Sequence, residues 1–87
     1  MQSFVHKVND ENGIHARPAG SIVNAAKVFD ADIIIRKTKS GQEADAKRLF
    51  SVMSLGARSG EELTFIISGK DEAAAAAALQ KLCREKL

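Results

Sequence analysis

The sequence predicts an α+β fold in which helices cover one face of a mostly antiparallel, four-stranded sheet. Three observations lead to this prediction: short segments with strand-like alternation or β-branched runs, longer segments with apolar residues at spacings of three and four, and polar or glycine-containing turns between them. The chain has 87 residues, which is the length of one small domain, 1–87, and its predicted element order is βαββαβα.

Four segments are predicted to be strands, at about 2–9, 32–37, 42–46 and 63–68. The first alternates loosely, so that Phe4, His6 and Val8 share one face. The second is a β-branched run, and the third is the weakest of the four. We expect His6 to be a hydrogen-bonded, partly buried structural histidine, because it lies among apolar strand positions.

The helices are predicted from apolar periodicity and from their end signals. The first runs from Ala16 to about Phe29, with an apolar stripe made by Ala19, Ile22, Val23 and Ala26. One or two helical turns are expected at 47–54, ended by Gly56 in a left-handed conformation. The last helix runs from Asp71 to about Lys86, and its stripe consists of Ala75, Ala78, Leu79, Leu82 and Cys83.

Composition excludes several classes of function. Cys83 is the only cysteine and there are two histidines, so we expect no disulfide, no metal and no cofactor. The net charge is only +2 and there is no tyrosine or tryptophan for base stacking, which argues against nucleic acid. No apolar run approaches the ~20 residues of a membrane span. A lone cysteine without a signal peptide fits a cytoplasmic protein, and nothing in the sequence demands an oligomer, so we expect a monomer.

The stretch NGIHARPAG at residues 12–20 places a histidine at the start of the first helix. Pro18 suits a first turn, where its missing N–H would be unpaired in any case. Free backbone N–H groups at a helix start favour an anion, and the guanidinium of Arg17 is suited to phosphate. The pattern is compatible with a phosphoryl group carried on His15, and equally with a histidine near a helix start that has no chemistry.

Three segments resemble the HPr family, the histidine phosphocarriers of the bacterial sugar phosphotransferase system. They are the active-site signature GIHARPA at 13–19, a second segment within 46–56 that contains AK, LF and VMSLG, and GKDE at 69–72 followed by an alanine-rich helix. The resemblance covers the whole chain. It implies an HPr-like open-faced β-sandwich with the order βαββαβα.

The resemblance also implies a function. Enzyme I would use phosphoenolpyruvate to phosphorylate Nδ1 of His15, Arg17 would help to hold the phosphoryl group, and enzyme IIA components of sugar permeases would receive it. The chain would thus be a covalent phosphoryl carrier and not an enzyme. The family's partner-binding face corresponds here to Ala16, Gly20, Lys27, Leu49, Phe50, Met53 and Ser54. Leu49 and Phe50 are adjacent on a short helix and cannot both face the core, so we expect Phe50 to be partly exposed.

Arg48 departs from the pattern of many HPr proteins of Gram-positive bacteria, in which HPr kinase phosphorylates a serine at this position. Because arginine cannot accept a phosphoryl group, we expect no kinase phosphorylation there.

The alternatives to a sugar carrier are a carrier of the nitrogen-related phosphotransferase chain, a regulatory HPr paralogue, and a binding domain with an accidental motif. The regulatory reading is disfavoured because such paralogues lose the active histidine, whereas this chain keeps His15.

Overall fold

All three helices lie on one face of a four-stranded sheet. The computed structural model describes residues 1–87, with the elements β1 (Gln2–Lys7), α1 (Ala16–Lys27), β2 (Asp32–Lys37), β3 (Glu43–Asp45), α2 (Leu49–Ser54), β4 (Glu62–Ser68) and α3 (Glu72–Lys86). Every pair of neighbouring strands is antiparallel. The predicted fold class and the order βαββαβα are confirmed.

The sheet is built around β4, in the strand order β1-β4-β2-β3. Phe65 of β4 pairs with Phe4 on one side and with Ile35 on the other, and the two phenylalanine rings stack with centroids 4.7 Å apart. Leu63, Phe65 and Ile67 are buried, while the residues between them are more exposed. Because successive strand side chains point to opposite faces, this alternation gives the sheet one buried face.

The helices close over that face through apolar stripes, which join one cluster of 21 buried hydrophobic residues. The stripe of α1 is buried as predicted, at Ala19, Ile22, Val23 and Ala26. In α3, Ala75, Leu79 and Cys83 are buried but Ala78 is exposed, so its assignment to the stripe is wrong. Ala78 precedes Leu79 by one residue and therefore lies about 100° away from it around the helix.

His6 also differs from its prediction. The side chain is partly buried, as expected, but its Nε2 is buried and has no hydrogen-bond partner. The expectation of a hydrogen-bonded structural histidine is therefore wrong at this nitrogen. A buried polar atom without a partner costs about 1–3 kcal/mol, and the burial of the rest of the His6 ring acts against this penalty.

Some element ends lie one or two residues away from the predicted ones. β1 ends before Asn9, because the N–H of Asn9 donates to the carbonyl oxygen of Leu87 at 2.6 Å. The short helix begins at Leu49, because the N–H of Lys47 donates to the carboxylate of Asp45 at 2.9 Å and forms a turn ahead of it. These hydrogen bonds depend on tertiary contacts or on turn chemistry that apolar periodicity does not encode.

Asp71, the residue before α3, ties that helix to the connection between α1 and β2. Its carboxylate accepts the N–H groups of Asp30 at 2.8 Å and of Ala31 at 2.9 Å. These hydrogen bonds, and the one from Asp30 above all, hold the pKa of Asp71 below its usual value of 3.8. Gly69 lies so close to Ala31 that a Cβ on Gly69 would be 2.6 Å from the Cα of Ala31.

Replacing Asp71 with Asn should lower the free energy of unfolding at neutral pH, because it removes a charged acceptor of two backbone N–H groups. A carboxyl group with a lowered pKa stabilises the fold above its unfolded pKa, and that contribution is lost as the pH falls through the folded pKa. The difference between wild type and Asp71→Asn should therefore be full at neutral pH and shrink below pH 3.8. Urea unfolding across this pH range measures it.

The matched control is Asp32→Asn, which removes the same charge from an exposed residue close by. It should change the free energy of unfolding little. An equal loss in both variants, or a loss in Asp71→Asn that persists unchanged in acid, would contradict the assignment.

Candidate functional site

His15 is the N-cap of α1, where the chain passes from an extended loop into the helix (φ −128°, ψ −172°). The first hydrogen bond of the helix runs from the N–H of Ala19 to the carbonyl oxygen of His15, at 3.0 Å. The N–H groups of Ala16 and Arg17 have no partner in the chain, and Pro18 has no N–H. His15 therefore lies beside free backbone donors at the positive end of the α1 dipole.

The loop that leads to His15 is fixed by a close backbone contact. Gly13 has φ +66°, and a Cβ at this position would collide with the carbonyl oxygen of Ala57. The next residue, Ile14, is buried, and its N–H donates to that same oxygen at 2.9 Å. Glycine alone combines the positive φ with so close an approach. The position of His15 is thus set by packing against the chain that follows α2.

One ring nitrogen of His15 faces a carboxylate, and the other has no partner. Its side chain is 41% exposed, and Nε2 lies 3.5 Å from Oδ2 of Asp10. It forms no capping hydrogen bond with the backbone of α1, so Nδ1 remains free. A neutral imidazole with its proton on Nε2 would present a lone pair at Nδ1.

A depression of about 280 Å³ lies beside His15, lined by Asp10, Asn12, His15, Arg17, Pro18, Ser21 and Lys86. Arg17 is exposed and forms no ion pair, and Lys86 reaches the depression from the end of α3. Two cations therefore border the space next to the imidazole. Guanidinium and ammonium groups bind phosphate oxygens strongly, so the depression suits a small anion attached to His15.

The sequence identified three of the residues that line this depression and missed the rest: Asp10, Asn12, Ser21 and Lys86. Asp10 and Asn12 belong to a polar turn, which by itself indicates only a loop. Lys86 lies at the far end of the chain, and only the packing of α3 brings it near His15. No local sequence signal could have found it.

Comparison with known proteins identifies the family. The family model for the PTS HPr component phosphorylation site matches residues 2–85. The chain belongs to the HPr phosphocarrier family. HPr proteins are phosphocarriers of the phosphotransferase system and not catalytic enzymes, so this chain is a carrier by descent.

The similarity to individual HPr proteins extends over most of each chain. Phosphocarrier protein HPr of Treponema pallidum (strain Nichols) is 38% identical over 80 residues, which are 92% of this chain and 89% of that protein. HPr-C-His of Thermoanaerobacter tengcongensis superposes with a TM-score of 0.91 at 31% identity, covering 99% of this chain and 94% of that one. An HPr dimer from the same organism gives a TM-score of 0.77 at 31% identity, with coverage of 99% and 97%.

The positions predicted for partner binding all lie on α1 and α2: Ala16, Gly20, Lys27, Leu49, Phe50, Met53 and Ser54. The two helices pack side by side in opposite directions. Ala57, just after α2, contacts the loop before α1, whereas Lys47, just before α2, donates from Nζ to the carbonyl oxygen of Phe29 at 2.7 Å. One surface therefore extends from His15 along both helices.

This surface exposes apolar side chains of α2. Phe50 is 82% exposed and Leu49 37%, while Val52 is buried, which confirms the prediction that Phe50 faces outward. Gly56, with φ +59°, ends the helix as predicted. Lys27 lines a second depression, of about 410 Å³, together with Phe50. Aromatic side chains such as Phe50 are enriched at protein interfaces.

The other potentially reactive side chains do not form a second functional site. No cluster of three or more His, Cys, Asp or Glu side chains is arranged to hold a metal ion. Burial raises the pKa of the Cys83 thiol to about 12, so its thiolate is not populated at neutral pH. No helix is both long enough and apolar enough to cross a membrane.

Gly13→Ala should lower the free energy of unfolding by at least about 2 kcal/mol, because it adds left-handed strain to a collision with a backbone oxygen. Gly20→Ala is the matched change on the same surface, since Gly20 has a negative φ and open space around its Cα. That variant should gain up to about 1 kcal/mol through helix propensity. Urea unfolding measures both. Equal effects of the two substitutions would refute the assigned role of Gly13.

Proposed function

We propose that this HPr-family chain carries a phosphoryl group on Nδ1 of His15, which it accepts from enzyme I and passes to enzyme IIA components in phosphoenolpyruvate-dependent sugar uptake. The observation that supports this most strongly is the placement of His15. His15 is the N-cap of α1 and its Nδ1 has no partner, while the next two residues in the chain supply the unpaired N–H groups of Ala16 and Arg17 and the unpaired Arg17 guanidinium. These donors would meet the oxygens of a phosphoryl group.

The transfer itself needs no acid or base of the carrier. The lone pair of Nδ1 forms the N–P bond while the bond between phosphorus and the leaving atom of the donor breaks. Charge on the transferred group is spread over its equatorial oxygens, so stabilisation comes from positioning and from nearby positive charge. Arg17 and Lys86 line the depression in which those oxygens would lie. The same donors serve the reverse step, when the phosphoryl group leaves for the next protein.

The surface formed by α1 and α2 is the proposed docking face for both partners. It starts at His15 and includes exposed Phe50, which would be buried against a partner. Aromatic residues of this kind dominate binding energy at interfaces. We further propose that the working form is a cytoplasmic monomer built on a single HPr-like domain, because His15, Arg17 and the docking face all belong to one chain.

The proposal is tested by incubating the protein with phosphoenolpyruvate and a competent enzyme I and measuring intact mass before and after acid treatment. We expect one added phosphoryl group that is lost in acid, because N–P bonds to imidazole are acid-labile, and none in His15→Ala. Arg17→Ala should fold normally, since Arg17 is exposed, and should accept the group roughly tenfold more slowly or worse. An acid-stable label, or labelling of His15→Ala, would refute the assignment.

Arg48 bears on how the carrier is regulated. It is exposed and forms the N-cap of α2, where the kinase serine of many HPr proteins would stand. The nearest serines are engaged with the backbone: Oγ of Ser51 accepts the N–H of Asp45 at 3.0 Å, and Oγ of Ser54 donates to the carbonyl oxygen of Ser51 at 2.6 Å. We therefore propose that HPr kinase has no substrate hydroxyl on α2 of this protein.

With ATP and HPr kinase, the wild-type protein should gain no phosphoserine within residues 48–54, whereas Arg48→Ser should gain it. The variant serves as the positive control, because it restores a hydroxyl at the N-cap of α2 without touching the core. Phosphopeptide mapping distinguishes the positions. Stoichiometric phosphate on Ser51 or Ser54 of the wild-type protein would disprove the proposal.

A further inference from the structure

The carboxylate of Asp10 lies against the side of His15 that a phosphoryl group on Nδ1 would leave free. Its Oδ2 is 3.5 Å from Nε2, and the side chain of Asp10 is 26% exposed. Hydrogen bonds of catalytic groups are often long in the resting state and shorten when the reacting group is bound. The carboxylate of Asp10 is therefore placed to accept a hydrogen bond from Nε2–H when this contact shortens.

Asp10 is held in this position by three hydrogen bonds. Its Oδ1 accepts the N–H of Asn12 at 2.9 Å. Its own N–H donates to the carbonyl oxygen of Leu87 at 3.0 Å, and its carbonyl oxygen accepts the N–H of Gly13 at 2.9 Å. With the backbone anchored at both ends and one carboxylate oxygen occupied, Oδ2 is left to face His15. The loop is pre-organised, so little entropy is lost when the contact to His15 shortens.

We propose that Asp10 is a positioning residue, which keeps the proton of His15 on Nε2 and so leaves the lone pair on Nδ1. The inference rests on the proposed function of His15 and adds a second group to it. A carboxylate beside one ring nitrogen favours the tautomer with the proton on that nitrogen and fixes the orientation of the ring. The nucleophilic nitrogen is thereby selected by a contact on the opposite side of the ring.

Asp10 would also compensate the positive charge that the His15 ring gains when it accepts the phosphoryl group. A neutral imidazole that attacks phosphorus through Nδ1 keeps its Nε2 proton, and the phosphorylated ring therefore carries a positive charge. The carboxylate of Asp10 compensates this charge as it develops. When the phosphoryl group leaves, the N–P bond breaks and the ring returns to the neutral form, again with the proton on Nε2. No proton has to move in either direction.

Asp10 lines the same depression as Arg17 and Lys86, but its Oδ2 lies 3.5 Å from Nε2, the ring nitrogen that would not carry the phosphoryl group. Electrostatic energy falls with distance, so the carboxylate stabilises the ring more than it repels the phosphoryl group. The phosphoryl oxygens would instead meet the unpaired N–H groups of Ala16 and Arg17 and the cations Arg17 and Lys86. The opposite charges around His15 therefore act on different parts of the same adduct.

The test compares Asp10→Asn with Glu11→Gln, which removes an equal charge from the neighbouring exposed residue. An asparagine can still accept the N–H of Asn12 through its amide oxygen, so the turn is retained, and amide NMR spectra verify the fold of each variant. The first readout is the tautomer of His15 from its ring 15N chemical shifts in the unphosphorylated protein. We expect the Nε2–H tautomer in wild type and Glu11→Gln, and a larger share of the Nδ1–H tautomer in Asp10→Asn.

The second readout is the rate of phosphoryl transfer from enzyme I to the protein and from the phosphorylated protein to enzyme IIA. Asp10→Asn should slow both steps roughly tenfold or more, as expected for loss of one charge-assisted contact, and Glu11→Gln should change neither more than about twofold. Wild-type rates in Asp10→Asn, equal losses in both variants, or an unchanged tautomer would overturn the role of Asp10. Failure of the wild-type protein to be labelled would instead refute the proposed function of His15, and the tautomer comparison would still decide whether Asp10 fixes the ring.

Discussion

The contact between Gly13 and the carbonyl oxygen of Ala57 is the constraint on which the functional end of the molecule depends. Because glycine leaves room for that oxygen, Ile14 can be buried and can donate its N–H to it. His15 then follows at the start of α1. Leu87 holds the other end of the loop through its carbonyl oxygen, which accepts two N–H groups. The sheet and helices fix these two anchoring points and thereby the loop that carries His15.

The charged and hydrogen-bonding groups around His15 come from different helices and loops. Donors for an anion come from the start of α1, a further cation comes from the end of α3, and the single carboxylate at the ring comes from the loop after β1. A partner protein would meet this centre together with the apolar side chains of α2. The exposed Phe50 and His15 belong to one continuous surface, so under the proposed function recognition and transfer would occur in a single encounter.

The sequence predicted the architecture well, because strand alternation, helical stripes and turn residues agree at almost every position. It located His15 and Arg17 through a local motif, and it placed Phe50 outside through the geometry of a short helix. Asp10 and Lys86 escaped prediction because their relation to His15 depends on where the chain after β1 and the end of α3 are packed. His6 and Ala78 were assigned wrongly for a related reason. Periodicity indicates which face of a strand or helix is buried. It does not show whether a buried atom such as Nε2 of His6 finds a hydrogen-bond partner, or whether a residue at the margin of a helical stripe, such as Ala78, is buried.

The proposed function places the phosphoryl group on Nδ1 of His15, the N-cap residue of α1. It is tested most directly by 31P and 15N NMR of the 15N-histidine-labelled protein after reaction with phosphoenolpyruvate and enzyme I. The account predicts phosphorus bonded to Nδ1 of His15, with the proton retained on Nε2 beside Asp10. Phosphorus on Nε2 of His15, or on His6, would contradict it.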